Sequence, residues 1–236
     1  MKPVKPLVIA HRGFTQNHLE NTLPAIESAL RLGVDGIEVD LRMTRDGQIL
    51  VFHDETLERL AGLATDVERV DYASLQGVRL QGGEKIPTLE DLLDLVQNRC
   101  LLNLEVKTVR TLPTHERNLT QVLRRYRCQD TILLSSFNPL AMFRLRWIAP
   151  EIRRGFLYQK KSPLARLAMS TMKLYSCHGQ LENLRPEVVQ QCHQSGKKFF
   201  VWTVNKIEDM QAMIRLGVEG IITDHPDQLL NIVNNA

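Results

Sequence analysis

The chain has 236 residues, 43% of them hydrophobic and 24% charged, with a formal net charge of +3. That length suits one large domain, or two small ones, around a sizeable core, and so small a charge gives no sign of a nucleic-acid partner. The N-terminal MKPVKPLVIAHRG has too short an apolar run for a signal peptide, and no window nears the roughly 20 apolar residues of a membrane span. Cys100, Cys128, Cys177 and Cys192 are widely spaced, as expected of free thiols in a reducing, cytoplasmic compartment.

In chain order, LVIAH predicts a strand over 7–11. ENTLPA opens a helix over 23–32, with Thr22 as cap and Pro24 in the first turn. GIEVDL gives a strand over 36–41, and residues 43–86 are irregular. A helix over 88–97 precedes the strand LLNLEV at 101–106. Next come a helix near 114–127, the strand TILLSS at 131–136 and a helix near 138–148. RRGFLY (153–158) is a fifth strand, trailed by a basic helical piece at 162–170, and MKLYSC (172–177) is a sixth. RPEVVQQCHQSG is helical, KKFFVWTV extended, IEDMQAMIRLG helical and GIITD extended, and 226–233 closes the chain as a helix.

Leaving out 43–86, eight strands each precede a helix or helical piece. Such alternation implies parallel strands with helical crossovers, and eight units fit a single closed (β/α)8 TIM barrel over 1–236. Alternation alone leaves a doubly wound open sheet as the competitor. An internal repeat favours the barrel: RLGVDGIEVD (31–40) matches RLGVEGIITD (215–224). In both copies a left-handed glycine ends a helix and the second glycine starts a strand. Residues 43–86 leave the C-terminal end of the second strand, and are expected to form an insertion over the C-terminal mouth, where barrel enzymes carry their chemistry.

GIEVDLRMTRDGQILVFHD sets Glu38 and Asp40 on one face of a strand, with Ile37, Val39 and Leu41 on the other. LLNLEVK repeats the alternation, turning Asn103, Glu105 and Lys107 inward. In a barrel, Glu38, Asp40 and Glu105 converge at one mouth, where like charges raise each other's pKa. A single divalent cation removes that cost, and oxygen-only ligands select Mg²⁺ or Ca²⁺. The alternative is an ion network in which Arg12 and Lys107 neutralise the acids. His11 and His53 flank the cluster and can form a general acid and base pair, each worth ~10²–10⁴ in rate. Arg12 and Lys107 then suit the anionic oxygens of a phosphate ester. His178 and His225 fall near mouth positions, while His18, His115 and His193 receive no role.

The motifs AHRG…ENT, GIEVDLRMTRDGQILVFHD, PTLEDLL, LNLEVK, LLSSF, VWTVN and GIITDHP, in this order, resemble the glycerophosphodiester phosphodiesterases. The resemblance implies a (β/α)8 barrel that hydrolyses glycerophosphodiesters to glycerol 3-phosphate and an alcohol with Mg²⁺ or Ca²⁺. It implies Glu38, Asp40 and Glu105 as metal ligands, His11 (base) and His53 (acid) as the catalytic pair, and Arg12 and Lys107 as phosphate ligands. It also implies attack by the neighbouring glycerol hydroxyl, giving a cyclic phosphate that water opens. Glu20 would hold Arg12 in place, and Leu19 stands where the family usually has Pro. Trp202 would line the glycerol pocket, its alternative being core packing. Ser135, Ser136 and Asp224 are read as structural, Asp224 as a turn residue before Pro226. Two competing functions remain: a lysophospholipase D, helped by the basic, apolar stretch 158–175 leaning on a membrane, and a non-catalytic binding barrel. The sequence carries no signal of oligomeric state.

Overall fold

The two copies of the repeat fold alike. In the computed structural model, which describes residues 5–107, 112–159 and 171–235, helix α1 (Leu23–Leu32) ends at Gly33 with φ 80° and strand β2 (Gly36–Met43) starts at the second glycine. Late in the chain, a helix over Ile207–Leu216 ends at Gly217, also at φ 80°, and a strand starts at Gly220. The acid before that second glycine ties down a neighbouring strand in each copy. Asp35 Oδ2 accepts from Val8 N at 2.8 Å, and Glu219 Oε2 accepts from Phe199 N at 2.7 Å.

These joints belong to a closed barrel. Its parallel strands are β1 (Leu7–His11), β2, β4 (Leu101–Val106), β5 (Ile132–Ser136), β6 (Arg153–Tyr158), β7 (Ser176–Gln180), β8 (Lys198–Trp202) and β9 (Gly220–Thr223). Neighbours pair in that order and β9 pairs back onto β1, closing the ring of eight. Strand β3 (Ile49–Val51) adds antiparallel to the end of β2, with Leu41 opposite Val51 and Met43 opposite Ile49. Helices α3 (Leu89–Val96), α4 (Thr114–Tyr126), α5 (Pro139–Ile148), α6 (Pro186–Gln194), α7 (Ile207–Leu216) and α8 (Pro226–Asn234) join α1 outside the ring. None of the described helices is long and apolar enough to cross a membrane.

Outward-facing Ile37, Val39, Leu41, Leu102, Leu104 and Val106 pack into the main core with helix residues such as Ile26 and Leu119. Inside the ring sit Ile9, Leu133, Phe200 and Ile222. Residues 43–86 have a core of their own, in which Leu50, Phe52, Leu57 and Leu60, the last on the short helix α2 (Glu58–Ala61), meet Val67, Leu75, Leu80 and Ile86. Leu19 packs against this second core.

The expected boundaries hold to within a residue or two at most elements, with three corrections. The sixth barrel strand is Ser176–Gln180 rather than 172–177. Its inward Ser176 and His178 gave it a polar look, while apolar MKLY only leads into it. Strand β2 continues to Met43 because β3 pairs with its last residues. Thr22 sits at the cap position of α1, but its hydroxyl donates to Leu19 O at 2.7 Å and caps nothing. The helical piece at 162–170, and with it most of the stretch thought to lean on a membrane, lies outside the described residues.

Candidate active site

Parallel pairing of β2 with β4 sets Asp40 directly beside Glu105, and alternation puts Glu38 on the same inner face. All three carboxylates are buried, and one oxygen from each lies within 4.8 Å of the others. Two cations reach them. Arg12 Nε lies 3.2 Å from Asp40 Oδ2, while Lys107 Nζ lies 3.1 Å from Asp40 Oδ1 and 2.7 Å from Glu105 Oε1. Burial alone would raise the Asp40 carboxyl, but Lys107, Arg12 and His53 bring it down to about 2. Glu38 and Glu105 are not so balanced. Burial and repulsion from Asp40 push Glu105 up to about 7 despite Lys107, and burial with repulsion from Asp40 and Glu105 drives Glu38 well above the usual range. An ion network therefore exists, pairing Lys107 with Glu105 as well as Asp40, but two cationic side chains face three acids. The surplus negative charge and the oxygen-only donors fit a hard divalent cation.

The chain entering the site is held in an uncommon conformation. Arg12 has φ 58° and Asn21 φ 57°, with Asn21 N donating to Arg12 O at 2.9 Å. A left-handed conformation in non-glycine residues persists only where the surroundings impose it. Asn21 Nδ2 donates to Asp40 Oδ2 at 2.8 Å, and its Oδ1 accepts from Asp40 N at 3.2 Å. Gly13, at φ 90°, passes so near helix α1 that an added Cβ would lie 2.8 Å from the Ala25 carbonyl carbon. Arg12 Nη1 donates to Glu20 Oε1 at 2.8 Å, so Glu20 does hold Arg12.

Both histidines are oriented by a carboxylate. His11 Nδ1 donates to Asp224 Oδ1 at 2.6 Å, leaving Nε2 to face the cluster 3.9 Å from Glu38 Oε2. Asp224 in turn accepts from Asn205 Nδ2 at 2.6 Å. The reading of Asp224 as a turn residue is thus incomplete: it precedes α8, but its side chain is spent on His11. His53 Nδ1 donates to Asp54 Oδ1 at 2.7 Å. The β3 return brings His53 to the mouth, with Phe52 N donating to Asp40 O at 2.9 Å and Arg42 Nε to His53 O at 2.9 Å. Burial lowers the His53 pKa, and Asp40 and Asp54 work against that.

His178 is not at the mouth. It lies within β7, wholly buried, 2.8 Å from Ser176 Oγ and stacked on Phe200. His225 is exposed at the start of α8. Trp202, half-buried at the end of β8, meets Phe137 edge-on at 5.5 Å, and its Nε1 donates to His178 O at 3.3 Å. Ser136 Oγ donates to Val106 O at 2.8 Å, a backbone-satisfying role as expected. The four cysteines are free thiols.

Sequence reasoning passed over Asn21, Asp54, Asn205 and Asp224. A signal existed for Asp224, because the internal repeat aligns it with Asp40. Asn21 lies in the ENT motif that carried the resemblance, whereas nothing local marks Asn205.

Residues 11–228 match the model of the glycerophosphoryl diester phosphodiesterase family. A glycerophosphodiester phosphodiesterase of Caldanaerobacter subterraneus subsp. tengcongensis is 38% identical over 99% of this chain and 100% of its own length. One from Bacillus altitudinis is 31% identical over 95% of this chain and 97% of its own. Among solved structures, a glycerophosphodiester phosphodiesterase from Parabacteroides distasonis superposes with a TM-score of 0.85 at 27% identity, covering 98% of each chain. An Oleispira antarctica phosphodiesterase, solved in complex with the product sn-glycerol-3-phosphate, gives 0.89 at 25% identity, covering 98% of this chain and 97% of that one. The chain belongs to the glycerophosphoryl diester phosphodiesterase family and is a phosphoric diester hydrolase.

Proposed function

We propose that the chain hydrolyses glycerophosphodiesters to glycerol 3-phosphate and an alcohol, with one divalent cation and His11 and His53 as the acid and base pair. The observation that carries this reading is the pair of histidines, each turned through Nδ1 by a carboxylate, beside a buried cluster of three acids. Glu38, Asp40 and Glu105 would hold Mg²⁺ or Ca²⁺, which when bound supplies Lewis-acid stabilisation of charge on the phosphoryl oxygens.

The remaining work falls to the protein's own side chains. Arg12 and Lys107 bind non-bridging phosphate oxygens, fixing the phosphorus between the histidines. One imidazole, acting through Nε2, removes the proton of the neighbouring glycerol hydroxyl, and returns it to that oxygen when water, deprotonated by the other imidazole, opens the cyclic phosphate. The other delivers a proton to the departing alkoxide. Asp224 and Asp54 keep each Nδ1 protonated, so each Nε2 alternates between accepting and donating. Trp202 and Phe137 offer an aromatic edge at the mouth for the glycerol moiety. Residues 43–86 act as an insertion over the mouth, a reading supported by the way β3 returns His53 to Asp40. The free thiols support a reducing, cytoplasmic setting.

The test is release of glycerol 3-phosphate from glycerophosphoethanolamine by the purified protein with Mg²⁺, with Ca²⁺ and with chelator. Metal-dependent release is expected. Release unaffected by chelator would remove the cation from the reading, and no release from folded protein would turn attention to acylated lysolipids.

A further inference from the structure

Four charged side chains alternating in sign, with the His53 imidazole at their end, line the rim of the mouth. Arg12 Nη1 donates to Glu20 Oε1 at 2.8 Å, and Arg59 Nη2 donates to the same oxygen at 2.6 Å. Arg59 Nε donates to Asp54 Oδ2 at 2.7 Å, and Asp54 Oδ1 accepts from His53 Nδ1 at 2.7 Å. Arg59 is the middle of this chain. It comes from helix α2 in the 43–86 segment, held there by buried Leu60 beside it and by Gln81, whose Nε2 donates to Arg59 O at 2.9 Å.

We propose that Arg59 is a positioning residue for phosphodiester hydrolysis, its guanidinium clamping Glu20 and Asp54 together and so setting Arg12 and His53 at the spacing the reaction needs. The inference rests on the roles given above to Arg12 and His53. The fork of the guanidinium is what the place requires, since two nitrogens serve two carboxylates from different segments at once. A lysine ammonium keeps the charge but lacks the fork. Without Arg59, Glu20 gives its whole charge to Arg12 and competes with phosphate for it. Asp54 keeps its bond to His53 but loses the contact that fixes its own direction. Substrate binding and turnover both suffer, through different residues.

A purely structural Arg59 would matter little, because half-exposed ion pairs add little to folding. At 49% side-chain exposure the position is also open to small solutes. The test is therefore chemical rescue. Wild type, Arg59→Ala and Arg59→Lys are assayed for glycerol 3-phosphate release, with melting temperature and metal binding measured in parallel. Arg59→Ala is expected to lose roughly 10- to 100-fold in kcat/KM, as supporting residues commonly do. KM should rise and kcat fall, with melting temperature and metal affinity kept. Low-millimolar ethylguanidinium should restore part of the activity, whereas ethylammonium at equal ionic strength should not.

Activity within about twofold of wild type in Arg59→Ala overturns the inference, as does a loss that ethylguanidinium leaves untouched in folded, metal-competent protein. Should Arg59→Ala fail to fold, Arg59→Lys decides: a reduced kcat/KM supports the clamp and a wild-type value overturns it. An inactive wild type would instead sink the functional reading and this inference with it, so the two failures are told apart by the control.

Discussion

Asp224 Oδ1 lies 2.6 Å from His11 Nδ1, and Asp224 is the repeat partner of Asp40. One strand-end motif, used twice, thus supplies an acid to the buried cluster and an acid to the histidine facing it. Replacing Asp224 by Asn keeps the size but removes the carboxylate that fixes the orientation of the ring through Nδ1. Asp224→Asn should lose roughly 10- to 100-fold in kcat, the usual scale for an orienting partner, with KM little changed. Steady-state kinetics on glycerophosphoethanolamine measure this, with circular dichroism to establish an intact fold. Unchanged kcat would return Asp224 to the turn role that its place before Pro226 suggested.

Most of the barrel was legible because its strands are short apolar runs between amphipathic helices, and the two RLGV joints repeat the same turn chemistry. The acids were legible for the opposite reason: Glu38, Asp40 and Glu105 break an apolar pattern at period two, which a packed strand alone would not do. The hidden parts depend on tertiary placement. His178 looked like a mouth residue until β7 proved to start at Ser176, which carries it into the barrel interior. The Arg12–Glu20–Arg59–Asp54–His53 chain joins three segments, and only Glu20 with Arg12 was visible beforehand. Asn205 has no local mark at all, because its value lies in facing Asp224 from the loop after β8.

The interior position of His178 makes a contrast with His11 and His53. Gly155 on β6 leaves room for it: a Cβ there would stand 2.5 Å from His178 Nε2. Burial pushes the His178 pKa down to about 3, so the folded protein holds it neutral. Truncation to Ala opens a cavity beside Phe200 and should cost about 2–5 kcal/mol in urea unfolding near neutral pH. Because the folded pKa lies below the unfolded one, the neutral imidazole's contribution is whole above the unfolded value of about 6.5 and is lost as pH falls toward about 3. The difference between wild type and His178→Ala should therefore shrink on acidification. At neutral pH and low temperature, kcat of the folded variant should stay near wild type, and a large drop would place His178 in the reaction after all.

The acid cluster predicts how pH and metal act together. Glu105 is raised to about 7 and Glu38 is raised as well, so in metal-free protein both resist ionisation. A carboxyl raised on folding contributes stability that is whole below its unfolded value of about 4.5 and is lost as pH rises through its folded value. Asp40, held at about 2, does not change across that window. A cation binds the ionised carboxylates and competes with their protons. The rise in melting temperature on adding Mg²⁺ or Ca²⁺ should therefore be larger at about pH 8 than at about pH 6, and chelator should abolish it at both. Glu105→Gln removes one donor and one titrating group, so the rise should be smaller and its pH dependence flatter. Thermal melts at the two pH values, with and without metal, measure all of this. An equal metal increment at both pH values would mean that the cation does not displace protons from Glu38 and Glu105, and the ligand set would have to be redrawn.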